Sequence, residues 1–179
     1  MTQRQKYQVL QQYPGFELRK YEPCVVAEVT IHDEYRAAAN KAFRHLFNYI
    51  SKGNSKTASI SMTAPVIAVT ENSLESELWK VHFVMPSGST LKDMPNPNAS
   101  QIELRELPTE NCVALSFRGR ATKSLSEKKE EILRLSAQKQ HLALSHETRI
   151  CRFDPPFKPH FVQHFICKSN NLILSNARH

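Results

Sequence analysis

The chain repeats itself once, and that repeat limits its possible folds more than any local propensity does. Glu17-Leu18-Arg19 leads through a turn to Cys24-Val25-Val26-Ala27, and Glu103-Leu104-Arg105 leads through a turn to Cys112-Val113-Ala114-Leu115. The offset is 86 residues at Glu17/Glu103 and 88 at Cys24/Cys112, so the second turn is two residues longer. Whatever supersecondary unit one copy builds, the other must build as well. Each copy reads as a hairpin, residues 16–21 with 24–31 and residues 101–107 with 111–118. Pro23 marks the first turn; Pro108 and Asn111 mark the second.

A helix follows each hairpin. The first starts near Asp33, an N-cap residue with Glu34 behind it, and ends before Gly53. The second starts near Ser124, and Glu127 three residues on completes a capping-box pattern. Strands are expected at 59–70 and 78–85 after the first helix, and at 148–153 and 161–168 after the second. A Pro/Asn/Ser-rich loop, 86–100, joins the halves. Neither half can cover its own sheet, so the two must share one core. The fold class expected is α+β: a distorted antiparallel β-barrel with two flanking helices, formed by duplication of a strand-strand-helix-strand-strand unit. Residues 1–179 form one domain, with pseudo-repeats at about 13–86 and 100–168 related by a pseudo-two-fold axis.

Composition narrows the function classes. With 40% hydrophobic and 23% charged residues, the chain is globular and not disordered. The net charge of +7 raises nucleic acid as a partner. However, the 24 basic residues are dispersed and, around the second helix, alternate with Glu127, Glu130 and Glu131, as on a solvated face. No zinc-finger spacing or RNP-like aromatic run appears, so no nucleic-acid partner is expected. No apolar run reaches the roughly 20 residues that span a bilayer, and the opening residues lack the apolar stretch of a secretory signal. Cys24, Cys112, Cys151 and Cys167 are far apart and form no C-x-x-C pair. Reduced thiols and a cytoplasmic location are therefore expected.

The first helix carries the most informative pattern. Tyr35, Ala39, Ala42, Leu46 and Ile50 share one stripe about 100° wide, enough for a core-facing helix. Phe43 and Phe47 fall on its flank, beside Arg36 and Asn40. Two phenylalanines next to polar residues form an apolar wall with a polar edge, which suits a flat hydrophobic ligand carrying carboxylates. The alternative is a wide core stripe whose Phe pair packs against a neighbouring loop.

The strand Ile60-Ser61-Met62-Thr63-Ala64-Pro65-Val66 bears on that choice. Its I-x-M-T-x-P-V pattern resembles the signature of the SOUL haem-binding family. Phe16-Glu17-Leu18-Arg19-Lys20-Tyr21, Asn48-Tyr49-Ile50 through Gly53-Asn54, and Phe153-Asp154-Pro155-Pro156 agree with it in order and spacing. The resemblance implies a distorted barrel with two helices and a haem or related tetrapyrrole held in a shallow apolar groove along the first helix. It places the cofactor-binding residues at Asn40, Phe43, Phe47 and Asn48, with Lys80 from an adjacent strand at the rim. Two features depart from the family. Where members carry a basic R-R-N-E-V strand this chain has Val162-Gln163-His164-Phe165-Ile166, and Asn40 and Asn48 stand where some relatives are basic. Lys20 also stands where some relatives carry His.

No histidine is well placed as an iron ligand. His45 lies on the flank opposite Phe43 and Phe47, His82 reads as solvent-facing, and His160 and His164 have no third partner. The tetrapyrrole is accordingly expected to bind without a histidine axial bond. Burying roughly 400 Å² of porphyrin at about 25 cal/mol/Å² supplies on the order of 10 kcal/mol before association costs. The sequence has only four glycines and no G-x-S-x-G or H-E-x-x-H string, so no enzyme is expected. The function expected is non-catalytic tetrapyrrole binding for transport, buffering or signalling. The alternative is a protein-interaction module on the same fold that has lost the ligand. Pro65 is expected at a bulge or edge, with Met62 and Val66 buried on one face. Replacing Phe43 and Phe47 together by Ala is expected to weaken binding and leave the fold intact.

Overall fold

The computed structural model describes residues 3–71, 77–119, 122–153 and 163–169. The first half contains β1 (Gln3–Arg4), β2 (Tyr7–Tyr13), β3 (Phe16–Tyr21), β4 (Cys24–His32), α1 (Tyr35–Ile50), β5 (Thr63–Ala64), β6 (Val66–Thr70) and β7 (Leu78–Val84). The second contains β8 (Ile102–Leu107), β9 (Glu110–Arg118), α2 (Lys123–Lys139), β10 (Thr148–Arg152) and β11 (Gln163–Ser169). The fold is α+β. Nine strands form one antiparallel sheet in the order β2-β3-β9-β11-β10-β6-β7-β4-β8, curled into a half-barrel with two helices. Strands β1 and β2 were not read in the sequence.

The two hairpins expected from the repeat do not form. β3 pairs with β2 and β9, whereas β4 pairs with β7 and β8, so each half lends strands to the other. Proline explains this. Only Glu22 and Pro23 join β3 to β4, and two-residue hairpins need positive φ at one or both linking positions. Proline is locked near −65°, so at the second position it excludes the commonest of those turns and turns the chain out of the ladder. Pro108-Thr109 separates β8 from β9 and offers no glycine to take up positive φ. The true hairpin at this end is β2–β3, linked by Pro14-Gly15 with Gly15 at φ 86°.

The order β3-β9-β11-β10 is followed by β6-β7-β4-β8, the same arrangement reversed with the halves exchanged. At the seam Ala68 faces Ile150. Leu18 lies opposite Val113 and Leu104 opposite Ala27. If Leu18 matches Leu104, Cys112 then matches Val26 and not Cys24.

The helix starts also differ from expectation. Glu34 is the N-cap of α1 and makes no side-chain cap bond. Asp33 sits one residue earlier, where its carboxylate accepts from the Glu34 amide at 2.8 Å and pairs with Lys41. In α2 the cap is Thr122, whose hydroxyl accepts from the Leu125 amide at 3.2 Å. Ser124 lies inside the helix and Glu127 approaches Lys123 at 3.8 Å, so the expected capping box is not built.

Both helices cover the same face of the sheet. α1 buries Tyr35, Ala38, Ala42, Leu46, Tyr49 and Ile50; Ala38 takes the place expected of Ala39. They pack on Val25, Ala27 and Val29 of β4 and Trp79, Val81 and Phe83 of β7. Sealing Leu46 alone contributes about 1.5–3 kcal/mol. α2 places Leu133 and Ala137 over Val113, Leu115 and Phe117. The opposite face closes on itself around Val26, Ile67, Val69, Val84, Cys112, Ala114, Cys151 and Cys167. Among the described residues, no helix is long and apolar enough to cross a membrane.

Candidate functional site

The flank of α1 that the sequence singled out is an aromatic ledge. Phe43 and Phe47, one turn apart, stack with ring centroids 5.7 Å apart and planes 12° from parallel. Phe43 also meets Phe83 of β7 edge-on at 5.4 Å and packs against the core, whereas Phe47 is 48% exposed. Val66, opposite Phe83 in the β6–β7 ladder, continues the surface. The ledge therefore has an exposed outer ring and an anchored inner one. Replacing both rings by Ala would damage the core as well, contrary to the expectation that the fold stays intact.

The signature strand positions the floor of this ledge. Pro65 follows a cis Ala64–Pro65 bond and falls in the gap between β5 and β6, where no ladder bond is asked of it. Thr63 donates its hydroxyl to the Val84 carbonyl, and the Gln5 amide donates to Ala64 at 2.8 Å. Met62 and Val66 are half-buried against the α1 core. The motif is thus built into the packing beneath the helix.

The other expected site residues divide. Asn40 is exposed one turn before Phe43. Asn48 is also exposed, but its side chain lies against Gly53, where an added Cβ would come within 2.5 Å of the amide nitrogen. Asn54 is buried and bonds four backbone groups: it donates to Tyr49 and Ala58 at 2.9 and 2.8 Å, and accepts from Ala58 and Lys56 at 3.0 and 3.3 Å. The Asn48-to-Asn54 string therefore shapes the end of α1. Lys80 is not brought beside the phenylalanines. It alternates with Trp79 and Val81, which face α1, so it projects from the other side of β7. There its ammonium pairs with Glu71 at 2.7 Å, a bond that raises its pKa. Arg152, opposite Val66 across the β6–β10 ladder, is a cation on the ledge side of the sheet that sequence reasoning missed. It donates to the Tyr35 hydroxyl at 2.6 Å and lies over that ring.

Histidine placement alters one expectation. His82 is buried and not solvent-facing, with Nε2 2.8 Å from the Glu28 carboxylate. The curling of the sheet covers both faces of β7, which a strand pattern alone does not reveal. Glu28 also pairs with Arg105 at 3.2 Å. The hydrogen bond from His82, aided by Arg105, holds the Glu28 carboxyl below its usual value against the effect of burial. His45 is half-buried on α1. His160 lies outside the described residues. Among the described residues, no three His, Cys, Asp or Glu side chains group to hold a metal ion. A cleft of about 100 Å³ lined by Arg4, Lys6, Glu22 and Thr63 is far too small for a tetrapyrrole.

The whole is an open antiparallel half-barrel with two helices on one face and an exposed aromatic ledge beside the first. The chain matches the model of the SOUL heme-binding protein family over residues 2–164 and belongs to that family. Among solved structures it is similar to the EcmrR C-terminal domain, at 14% identity and a TM-score of 0.68, covering 92% of this chain and 97% of that one. It is also similar to a hydrolase from Listeria innocua, at 13% identity and a TM-score of 0.62, covering 87% and 91%. At such identities the likeness concerns the fold alone. No curated protein matches the chain.

Proposed function

We propose that the protein binds haem or a related tetrapyrrole on the α1 ledge, without catalysis, as a cytoplasmic carrier, buffer or sensor. The observation that carries this reading is the exposed Phe47 ring stacked on the anchored Phe43, within a family defined by haem binding. A flat apolar ligand laid on Phe47 gains dispersion and removes exposed aromatic surface from water. Asn40 lies at the polar edge, where it can hydrogen-bond a carboxylate. Phe43, Phe47 and Asn40 are the residues that would hold the group, through its flat face and a carboxylate and without a histidine bond to the iron.

Haemin titration of the purified protein tests this. Expected is saturable binding with a Soret shift and no bis-histidine spectrum. Absence of saturable binding to haemin and to metal-free porphyrin would refute it. The second reading, a protein-interaction module, is favoured by Lys80. That cation, expected at the rim, is paired with Glu71 on the other face of β7, so the ledge is less suited to propionates than the family pattern implies. Under that reading the ledge would receive an apolar side chain of a partner, and haemin would not bind.

A further inference from the structure

The cysteines that lie far apart in the sequence come together in the fold. Cys112, Cys151 and Cys167 are all buried in the inner core, and Cys24 packs against it. Cys151 on β10 and Cys167 on β11 are in contact. Cys167 lies opposite Arg149 in the ladder, so it is the diagonal neighbour of Cys151 on the same face. Their sulfurs are 3.9 Å apart, with Cys151 placed to donate to Cys167. The Tyr21 hydroxyl stands 3.8 Å from the Cys167 sulfur.

We propose that Cys151 and Cys167 are an oxidation site, which a small peroxide converts to a reversible disulfide. The surroundings assign the roles. The hydrogen bond from Cys151 lowers the Cys167 pKa despite burial, and the charges of Arg19 and Arg149 and the Tyr21 hydroxyl act in the same direction. Cys167, whose sulfur accepts from Cys151 and faces the Tyr21 hydroxyl, is the one placed as the nucleophile. Burial pushes the Cys24 thiol up to about 11 and the Cys112 thiol further still, which leaves both as poor competitors. The Cys167 sulfur attacks one peroxide oxygen, the O–O bond breaks, and the departing oxygen leaves as water with the thiol proton. Cys167 is then a sulfenic acid. The Cys151 sulfur attacks it, the S–O bond breaks, and the oxygen leaves as a second water with the Cys151 proton. Two thiols have lost two electrons and one peroxide has gained them.

A disulfide needs its sulfurs at about 2.05 Å, so each must move by roughly 1 Å from the reduced positions, and thiol–disulfide exchange with an added reductant opens the bond again. Cys151 and Cys167 are 5% and 2% exposed, so only a compact oxidant reaches them, and only when the surrounding strands open locally.

The test uses the whole wild-type chain. It is treated with hydrogen peroxide, denatured, alkylated with N-ethylmaleimide and mapped by peptide mass spectrometry. Expected is a Cys151–Cys167 cross-link with Cys24 and Cys112 alkylated, and four alkylated cysteines after dithiothreitol. The assignment fails if all four cysteines remain alkylatable after peroxide. It also fails if Cys24 or Cys112 enters the cross-link, or if Cys167 is recovered as a sulfinic acid beside a free Cys151. Cys167→Ser, which should prevent the cross-link, is a second check; the wild-type map decides the matter even if that variant does not fold.

Discussion

Phe47→Ala separates binding from folding, because Phe47 holds the outer position on the ledge and Phe43 the inner one. A phenylalanine side chain offers about 200 Å², and Phe47 leaves roughly half of it in water. Covering that half with a porphyrin face is worth at most about 2.5 kcal/mol at 25 cal/mol/Å². Alanine keeps part of the contact, so the expected loss is about 1–2 kcal/mol, or roughly 5- to 30-fold in haemin affinity. The same change removes one stacked pair and part of a half-buried ring, which should cost about 1 kcal/mol and lower Tm by roughly 2–4 °C. Phe43→Ala behaves otherwise. Its ring is held between Phe47 and Phe83 and packs on the core, so about 2–4 kcal/mol of stability should go with it. The assay is a Soret-monitored haemin titration beside urea unfolding of the parent and both single variants. A Phe47→Ala protein that folds normally and binds haemin like the parent would show that the ledge is not the site.

Lys80→Ala and His45→Ala should each leave haemin affinity and the Soret position unchanged; a marked loss in either, by titration, would return that residue to the site. Thr122→Ala should cost about 1 kcal/mol in urea unfolding, since it removes the hydroxyl that accepts from Leu125, whereas Ser124→Ala should cost less. Glu28→Gln tests the inner ion pair. Because the native Glu28 pKa is lowered, the charged form adds stability above the ordinary glutamate value of about 4.3, and that stability is lost as pH falls through the native value. The stability gap between parent and variant should therefore be wide at neutral pH and close in acid; an equal gap at both would remove the linkage.

Much of the fold was legible because it depends on patterns a strand or helix cannot hide. The repeated Glu-Leu-Arg and Cys-Val strings and the apolar stripe of α1 follow from burial of one face, whereas β4 and β9, buried on both faces, read as short continuous apolar runs. Strand partners were not legible from adjacency, since β3 and β4 are consecutive yet bond to β9 and β8. The information was nevertheless present in Pro23, which does not fit a tight two-residue hairpin. Helix geometry alone set Phe43 and Phe47 apart on the flank of α1, where the structure stacks them. Arg152 was not, because its place beside Val66 exists only after β10 crosses to β6 from the other half of the chain.

The sheet also explains why Phe83 and Lys80, only three residues apart, belong to different environments. Trp79, Val81 and Phe83 project towards α1, while Val84 joins the inner core and His82 meets Glu28 there. The pleat assigns every residue of β7 to one face or the other, and Lys80 falls with His82 and Val84. Its charge is consequently committed to Glu71 at the solvent-exposed edge of that face, near Glu28 and Arg105. A ligand on the proposed ledge would take its floor from Phe83 and Val66, and the cation on that side of the sheet is Arg152, across the seam between the two halves. The exchange of strands between the halves, which undid the expected hairpins, is thus also what places a residue of the second half on the ledge side of the first.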